Sequence, residues 1–177
     1  LKCILKNIGD FKNKDVVILG FGGVSKAVCA YVSKSLEDGS KLTVSCRKRK
    51  ISQKEMDILG ISQVIDIKNI KDFLKGTKVL INCTSIGWND QIENSPVSID
   101  DLSLLCKDAF IYDVIYQPLK TKFLNLADSL GIENSNGLEM NLEQALLAFK
   151  YALPELITND EDHNLSLIHI SEPTRLN

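Results

Sequence analysis

Three closely spaced glycines, Gly20, Gly22 and Gly23, follow directly on the aliphatic run 16–19 and precede an apolar, helix-favouring stretch from Val24. A strand that turns into a helix in this way can bind a pyrophosphate. Gly20 permits the sharp turn, Gly22 lets the phosphates approach the backbone, and Gly23 lets the helix begin close to the strand. The loop amides and the positive end of the helix dipole then face the phosphates. The spacing departs from GxGxxG, and a strand–turn–helix that needs its glycines for packing alone is the alternative.

Four consecutive cations at positions 47–50 follow the predicted strand 42–46. In a dinucleotide-binding fold the second strand ends beside the adenosine ribose. An acid there binds the 2′-hydroxyl of NAD, whereas an arginine accommodates the 2′-phosphate of NADP. The chain has no acid at this point, and the guanidinium of Arg47 can bind a phosphate through two parallel hydrogen bonds. The pattern therefore favours NADP, with a solvated basic loop as the alternative.

Polar side chains also follow the predicted buried strand 78–83. Asn82, Thr84 and Ser85 stand at its carboxyl end. Ligands of doubly wound sheets bind at the carboxyl ends of strands, so these amide and hydroxyl groups could meet a cofactor. Alternatively, they satisfy backbone groups of their own loop, as Asn and Ser often do.

The composition excludes several classes of function. The net charge of −2 over 177 residues gives no general basic surface for nucleic acid, and no apolar run is long enough to span a membrane. Both histidines lie near the C-terminus, which argues against a Ser-His-Asp hydrolase. The five scattered cysteines include no CxxC pair, so we predict no metal site and a reducing, cytoplasmic setting.

Strand and helix patterns alternate along the chain. Strands are predicted over 16–19, 42–46, 64–67, 78–83 and 109–115 and from Ile132, and the longer helices over 24–36, 121–130 and 138–151. This order predicts an α/β, Rossmann-type, doubly wound parallel sheet with helices on both faces. We expect residues 1–157 to form one domain and 158–177 to be a disordered polar tail, of which 165–177 resembles non-native sequence. The chain begins without Met and is expected to be a piece of a longer one.

Four segments together resemble one family, the shikimate dehydrogenases, which include the quinate/shikimate dehydrogenases. The segments are Gly20-Phe21-Gly22-Gly23, Asn82-Cys83-Thr84-Ser85-Ile86-Gly87, Asp113-Val114-Ile115-Tyr116-Gln117-Pro118-Leu119-Lys120-Thr121 and Asn136-Gly137-Leu138-Glu139-Met140-Asn141-Leu142-Glu143-Gln144-Ala145. The last three are far more specific than the glycine loop. The resemblance covers roughly residues 1–157 and matches the C-terminal, NADP-binding half of the family.

The resemblance implies a role for each matching residue. The pyrophosphate would be bound by Gly20, Gly22, Gly23 and Val24, and the adenosine phosphate by Cys46, Arg47 and Lys48. The stretch with Asn82, Thr84 and Ser85 would run alongside the cofactor. The nicotinamide would lie beside Val114 and Gly137.

The resemblance further implies that Tyr116 and Gln144 reach the substrate across a domain cleft. Without the motif, Tyr116 would be interpreted as an aromatic side chain that covers the core, and Gln144 as an exposed helix residue. Three positions depart from the family pattern: Cys46 replaces the usual Asn, Trp88 an often-found Met and Asn141 the usual Leu. These changes indicate a divergent member or an altered cofactor fit.

The activity implied is NADP-dependent hydride transfer that interconverts shikimate and 3-dehydroshikimate, in the shikimate pathway of aromatic amino acid biosynthesis. The family's Lys–Asp pair lies in its first, substrate-binding domain, so we expect no catalytic residue in this chain and an inactive fragment without that partner domain. The alternatives are a quinate/shikimate dehydrogenase of relaxed specificity and a non-catalytic NADP-binding module. A plastid location would require a transit peptide that has been removed.

Overall fold

In the computed structural model of the chain, the structure describes residues 11, 14–36, 39–47 and 51–152. The chain divides into two compact units after Leu138. The first unit contains the sheet, and all but the first residue of the last helix belongs to the second. The predicted helix end at 1–8, the domain boundary at 157 and the tail 158–177 lie outside the described residues.

A parallel sheet of six strands forms the first unit. The strands are β1 (Val16–Leu19), β2 (Leu42–Cys46), β3 (Gln63–Asp66), β4 (Val79–Asn82), β5 (Phe110–Asp113) and β6 (Glu133–Ser135). Their order across the sheet is β3-β2-β1-β4-β5-β6, so the direction of winding reverses between β1 and β4. This order is that of dinucleotide-binding sheets, and the predicted fold class is confirmed.

Helices and short 3₁₀ turns connect the strands. The helices are α1 (Gly23–Val32), α2 (Gln53–Leu59), α3 (Lys71–Leu74), α4 (Ile99–Leu102), α5 (Lys122–Ser129) and α6 (Leu138–Ala152). Turns of 3₁₀ type cover Ser33–Ser35, Ile67–Asn69 and Asn89–Gln91. The Thr121 hydroxyl accepts a hydrogen bond from the Leu124 amide, so the predicted N-cap of α5 is confirmed.

Both faces of the sheet are buried, because alternate residues of each central strand point to opposite sides. On one face, Val17 and Leu19 belong to an apolar cluster with side chains of α3, α4 and α5. The intervening residues Val16 and Ile18 are also inaccessible to solvent, and α1 contacts β1. Near-continuous aliphatic strands are what a sheet covered on both faces requires.

The register of the sheet aligns several polar residues along its carboxyl edge. Leu19 of β1 pairs with Ser45 of β2 and with Asn82 of β4. Asn82 in turn pairs with Asp113 of β5. The strand ends therefore form a row from Ser45 to Asp113 across the point where the winding reverses.

Two elements end at least two residues earlier than predicted, whereas the other bounds differ by about one residue. The helix predicted over 24–36 ends at Val32 and continues only as the 3₁₀ turn. The strand predicted to reach Ile115 ends at Asp113, because the Asp113 carboxylate accepts a hydrogen bond from the Ile115 amide and the chain turns there.

Candidate functional site

A cleft of about 420 Å³ opens at the carboxyl edge of the sheet, where the winding reverses. Its walls come from the loops after β1, β2, β3 and β4. The lining residues are Gly20, Phe21, Gly22, Ser45, Cys46, Arg47, Ile67, Cys83, Thr84, Ser85, Ile86, Gln91 and Pro96. The crevice at this topological switch point is where doubly wound sheets bind ligands.

Gly20 is required by its backbone and by its neighbours. Its φ is +91°, and a β-carbon there would lie 2.9 Å from Cγ2 of Thr84 and 3.1 Å from the carbonyl oxygen of Cys83. Its amide donates to the Ser45 carbonyl (2.8 Å), and its carbonyl accepts from the Ser25 hydroxyl (2.8 Å). The predicted sharp turn therefore has a defined physical cause.

Gly22 and Gly23 face open space instead. A β-carbon built on either would meet no atom within 4 Å. Gly22 caps α1 without a side-chain hydrogen bond, and the first turn of α1 carries no acid. This open, uncapped helix start leaves room and amide donors for an anion, and a dinucleotide's pyrophosphate fits it. The structure does not support the expectation that Gly23 serves close helix–strand packing, because no atom of the described residues outside its own helix lies within 4 Å of a β-carbon built there. Val24, also in the first turn, is 45% exposed.

The flank of the glycine loop is held by Lys26. Its ammonium lies 2.6 Å from Oε1 of Glu55 in α2 and 5.2 Å from the centroid of the Phe21 ring. The ion pair is partly exposed and contributes about 1 kcal/mol or less. It nevertheless ties the first turn of α1 to α2, beside the loop that lines the cleft.

The end of β2 supplies the other wall. Ser45 and Cys46 are buried, whereas Arg47 is exposed and lines the cleft. Arg47 forms no ion pair with any residue that the structure describes, so its guanidinium is available to an anion in the cleft. Lys48, the third residue predicted at this position, lies outside the described residues.

The loop after β4 gives different roles to its three predicted residues. Asn82 is inaccessible, and its amide nitrogen donates to Oδ1 of Asp113 (3.0 Å) and to the carbonyl of Ile86 (3.3 Å). Its Oδ1 accepts from the amide and hydroxyl of Thr84. The structure thus favours the second interpretation of Asn82, the satisfaction of its own loop. Thr84 and Ser85 line the cleft.

Val114 and Gly137 lie against each other. A β-carbon on Gly137 would be 2.0 Å from the Val114 carbonyl oxygen, and the Gly137 amide donates to the Ile115 carbonyl (3.1 Å). Gly137 is therefore needed for the close approach of the two chain segments. Neither residue lines the cleft described above.

The two residues predicted to reach a substrate are both exposed. Tyr116 follows β5 and is 42% exposed, which disfavours a role in covering the core. Gln144 is an exposed residue of α6, in the second unit. Neither observation tests substrate contact, which stays a prediction.

Three ionisable groups in or near the cleft have perturbed pKa values. Burial raises the pKa of the Asp113 carboxyl to about 6, although three hydrogen bonds oppose the shift. Burial likewise raises the pKa of the Cys29 thiol to about 11 and that of Cys83 well above its ordinary value. Both thiols are therefore protonated at neutral pH and are not activated nucleophiles.

Sequence reasoning missed several residues of this region. The cleft is also lined by Ser45, Ile67, Ile86, Gln91 and Pro96. Ser45 carries a signal, since a hydroxyl within a buried strand needs a partner, and its Oγ has none among the described residues. Asp113 was recognised only as part of a motif, although an acid that ends an apolar strand is itself unusual.

The lining residues favour binding over acid–base chemistry. No carboxylate or imidazole lines the described cleft, and its ionisable groups are Arg47 and two thiols. The described part of the chain contains no group of three or more His, Cys, Asp or Glu side chains able to hold a metal ion. None of its helices is long and apolar enough to cross a bilayer.

Comparison with known proteins identifies relatives that match most of the chain. No protein-family model matches it. The shikimate dehydrogenase (NADP(+)) of Microcystis aeruginosa is 34% identical over 146 residues, which cover 80% of this chain and 51% of that protein. The chain spans about half the length of the curated relatives it matches.

Solved structures agree with this similarity. The crystal structure of shikimate dehydrogenase 1 from Peptoclostridium difficile matches with a TM-score of 0.74 and 29% identity, over 89% of this chain and 55% of that one. Quinate dehydrogenase from Corynebacterium glutamicum, solved in complex with NAD, matches with a TM-score of 0.70 and 27% identity, over 84% and 53%. The resemblance to shikimate dehydrogenases predicted from the motifs is thereby confirmed.

Proposed function

We propose that this chain is the NADP-binding half of a shikimate dehydrogenase, an oxidoreductase that interconverts shikimate and 3-dehydroshikimate in aromatic amino acid biosynthesis. The observation that carries the proposal is the cleft itself, with an open glycine-lined helix start at one side and Arg47 at the other. Relatives named for this activity and cofactor match four-fifths of the chain. We assign residues 1–157 to this half.

The described residues fit the chemical groups of the cofactor. The free amides at Gly22 and Gly23 and the dipole of α1 would hold the pyrophosphate. Arg47 would bind the 2′-phosphate through its planar guanidinium, together with its sequence neighbours Cys46 and Lys48. Thr84 and Ser85 would contact the cofactor from the β4 loop, and Val114 and Gly137 would flank the nicotinamide.

Cofactor preference follows from charge. No carboxylate stands among the cleft-lining residues. In folds that bind NAD, an acid at this position binds the 2′-hydroxyl of the adenosine ribose. A cation there favours the additional phosphate of NADP, which supports NADP as the cofactor of this chain. Binding energy gained at that remote phosphate helps to hold the nicotinamide in a reactive position.

When bound, NADP⁺ supplies the acceptor for a hydride from the C3 carbon of shikimate. The described cleft offers no side chain to accept the accompanying hydroxyl proton, so this group would come from a partner domain that binds the substrate. Tyr116 and Gln144 would contribute uncharged hydrogen-bonding groups to the hydroxylated substrate. We place the enzyme in the cytoplasm, or in a plastid if a transit peptide has been removed.

An activity assay on the full-length protein tests this proposal. NADP⁺ reduction that depends on shikimate would support it. Faster turnover of quinate would favour the second candidate, a quinate/shikimate dehydrogenase, to which the similarity with the Corynebacterium enzyme points. Cofactor binding without turnover of either compound would indicate a non-catalytic NADP-binding module.

A further inference from the structure

Asp113 is a buried acid whose two carboxylate oxygens are both engaged. Oδ1 accepts hydrogen bonds from Nδ2 of Asn82 (3.0 Å) and from the amide of Ile115 (3.1 Å), and Oδ2 accepts from the Thr121 hydroxyl (2.7 Å). All three donors are uncharged. A well-packed apolar side chain would fill such a position at lower cost than an unpaired carboxylate. The acid therefore indicates a role beyond packing.

One arm of this network reaches the wall of the cleft. Because Nδ2 of Asn82 donates to Asp113, its Oδ1 is turned towards Thr84. That oxygen accepts from the Thr84 amide (3.0 Å) and hydroxyl (2.7 Å), and the Thr84 hydroxyl accepts from the Ile86 amide (3.1 Å). Thr84 and Ile86 both line the cleft. The carboxylate thus orients a side chain that shapes the β4 loop.

The other arm holds the chain after β5. The Ile115 amide donates to Oδ1, and the Ile115 carbonyl accepts from the Gly137 amide (3.1 Å). The Thr121 hydroxyl joins Oδ2 to the start of α5. The segment between these two contacts carries Tyr116. A single carboxylate therefore ties the β4 loop to the β5 loop.

We propose that Asp113 is a positioning residue that, through Asn82, fixes the loop 83–88 and thereby sets the cofactor affinity of the cleft. The inference rests on the proposed function, since it takes the cleft as the NADP site. Asp113 does not line the cleft, so any effect of its removal on affinity must pass through the loop. The raised pKa of its carboxyl is consistent with an anion kept in place at a cost.

The loop contains its own reporter. Trp88 is the one tryptophan of the chain, is 55% exposed and donates its backbone amide to the Ser85 carbonyl (3.1 Å). Its emission wavelength and its quenching by acrylamide therefore report on the loop without any cofactor. We expect Asp113→Ala to change both, while far-UV circular dichroism shows that the fold is retained.

The matched control is Leu102→Ala. Leu102 lies in α4, is inaccessible and does not line the cleft. Its apolar side chain makes no hydrogen bond, so its truncation destabilises the fold without removing a hydrogen bond of the network. Relative to this control, Asp113→Ala is expected to raise the Kd for NADP⁺ about ten-fold, as for the loss of a charged hydrogen bond. Asp113→Asn keeps an acceptor for Asn82 and Ile115, so its Kd for NADP⁺ should fall between those of Leu102→Ala and Asp113→Ala.

A double variant tests the route. Thr84→Val removes the hydroxyl that Asn82 holds. If Asp113 acts through Asn82 and Thr84, adding Asp113→Ala to Thr84→Val changes the Kd less than it does in the wild-type chain.

The inference would be overturned if Asp113→Ala and Leu102→Ala had the same Kd for NADP⁺ and the same Trp88 signal. Fully additive effects on the Kd in the double variant would overturn it too. If Asp113→Ala does not fold, Asp113→Asn decides by the same two readouts. Absence of NADP⁺ binding to the wild-type chain would count against the proposed function instead. The Trp88 comparison, made without cofactor, would still decide whether Asp113 positions the loop.

Discussion

A β-carbon on Gly20 would lie 2.9 Å from Cγ2 of Thr84, so the turn after β1 and the loop after β4 approach each other as closely as a glycine permits. This contact joins the two loops on either side of the point where the sheet reverses its winding. It explains why a glycine is needed at position 20 and not only in the loop that follows.

Gly20→Ala is therefore expected to destabilise the fold. The substitution places a side chain at a φ of +91° and against Thr84 and Cys83, which should lower the free energy of unfolding by about 2 kcal/mol or more. Urea denaturation measures the change. Gly22→Ala is the control, because its φ of −100° suits any residue and its β-carbon meets no atom. It should cost about 1 kcal/mol or less but weaken NADP⁺ binding; equal losses of stability in the two variants would contradict the assigned geometry.

Asp113 should give the stability of the protein a specific pH dependence. Burial raises its pKa in the folded state to about 6 from an ordinary 3.8, so the folded state binds the proton more tightly than the unfolded chain. The contribution of this group to the free energy of unfolding is therefore lost as the pH rises from about 4 to about 6 and stays constant above.

Comparison with Asp113→Asn isolates this effect, because the amide does not titrate. The difference in unfolding free energy should shift in favour of the Asn variant by up to about 3 kcal/mol between pH 4 and pH 7. Leu102→Ala should instead follow the wild-type pH profile. A difference between Asp113→Asn and wild type that is independent of pH would show that the carboxyl is not perturbed in this way.

Substitution of Ser45, unlike that of Gly20, is expected to raise the stability of the fold. Its buried hydroxyl has no hydrogen-bond partner among the described residues, so Ser45→Ala should raise the stability by about 1 kcal/mol. Two residues earlier on β2, the Thr43 hydroxyl accepts a hydrogen bond from Gln63 (2.8 Å). Thr43→Val should therefore lower the stability by about 1 kcal/mol. Thermal unfolding of both variants decides, and a loss in both would show that Ser45 is satisfied in solution.

The sequence allowed the sheet to be predicted more accurately than the site. The bounds of β1 and β2 agree with the prediction because short aliphatic runs bounded by turn residues leave little ambiguity. The ends of β5 and α1 were less predictable. An Asx contact at Asp113 and a change to 3₁₀ geometry after Val32 depend on local hydrogen bonds that periodicity does not reveal.

The sequence predicts where the site lies but not the role of each of its residues. The order of strands and the glycine loop place the cleft, as the sequence predicts. Whether Asn82 meets a ligand or its own loop depends on Asp113, which is 31 positions away in the chain. The same holds for Ile67 and Pro96, which line the cleft only because β3 and the β4 loop are brought together. Such contacts are set by tertiary structure, and no local sequence pattern predicts them.

In the proposed function, Arg47 is the residue that makes this cleft a site for NADP. Calorimetric titration of the wild-type chain and of Arg47→Ala with NADP⁺ and with NAD⁺ tests it most directly, with Lys107→Ala as a control that removes an exposed cation outside the cleft. We expect the wild type and the control to prefer NADP⁺, more strongly at low salt, and Arg47→Ala to lose about ten-fold in affinity for NADP⁺ and little for NAD⁺. Equal affinity of the wild type for both cofactors, or an equal loss for both in Arg47→Ala, would contradict the claim.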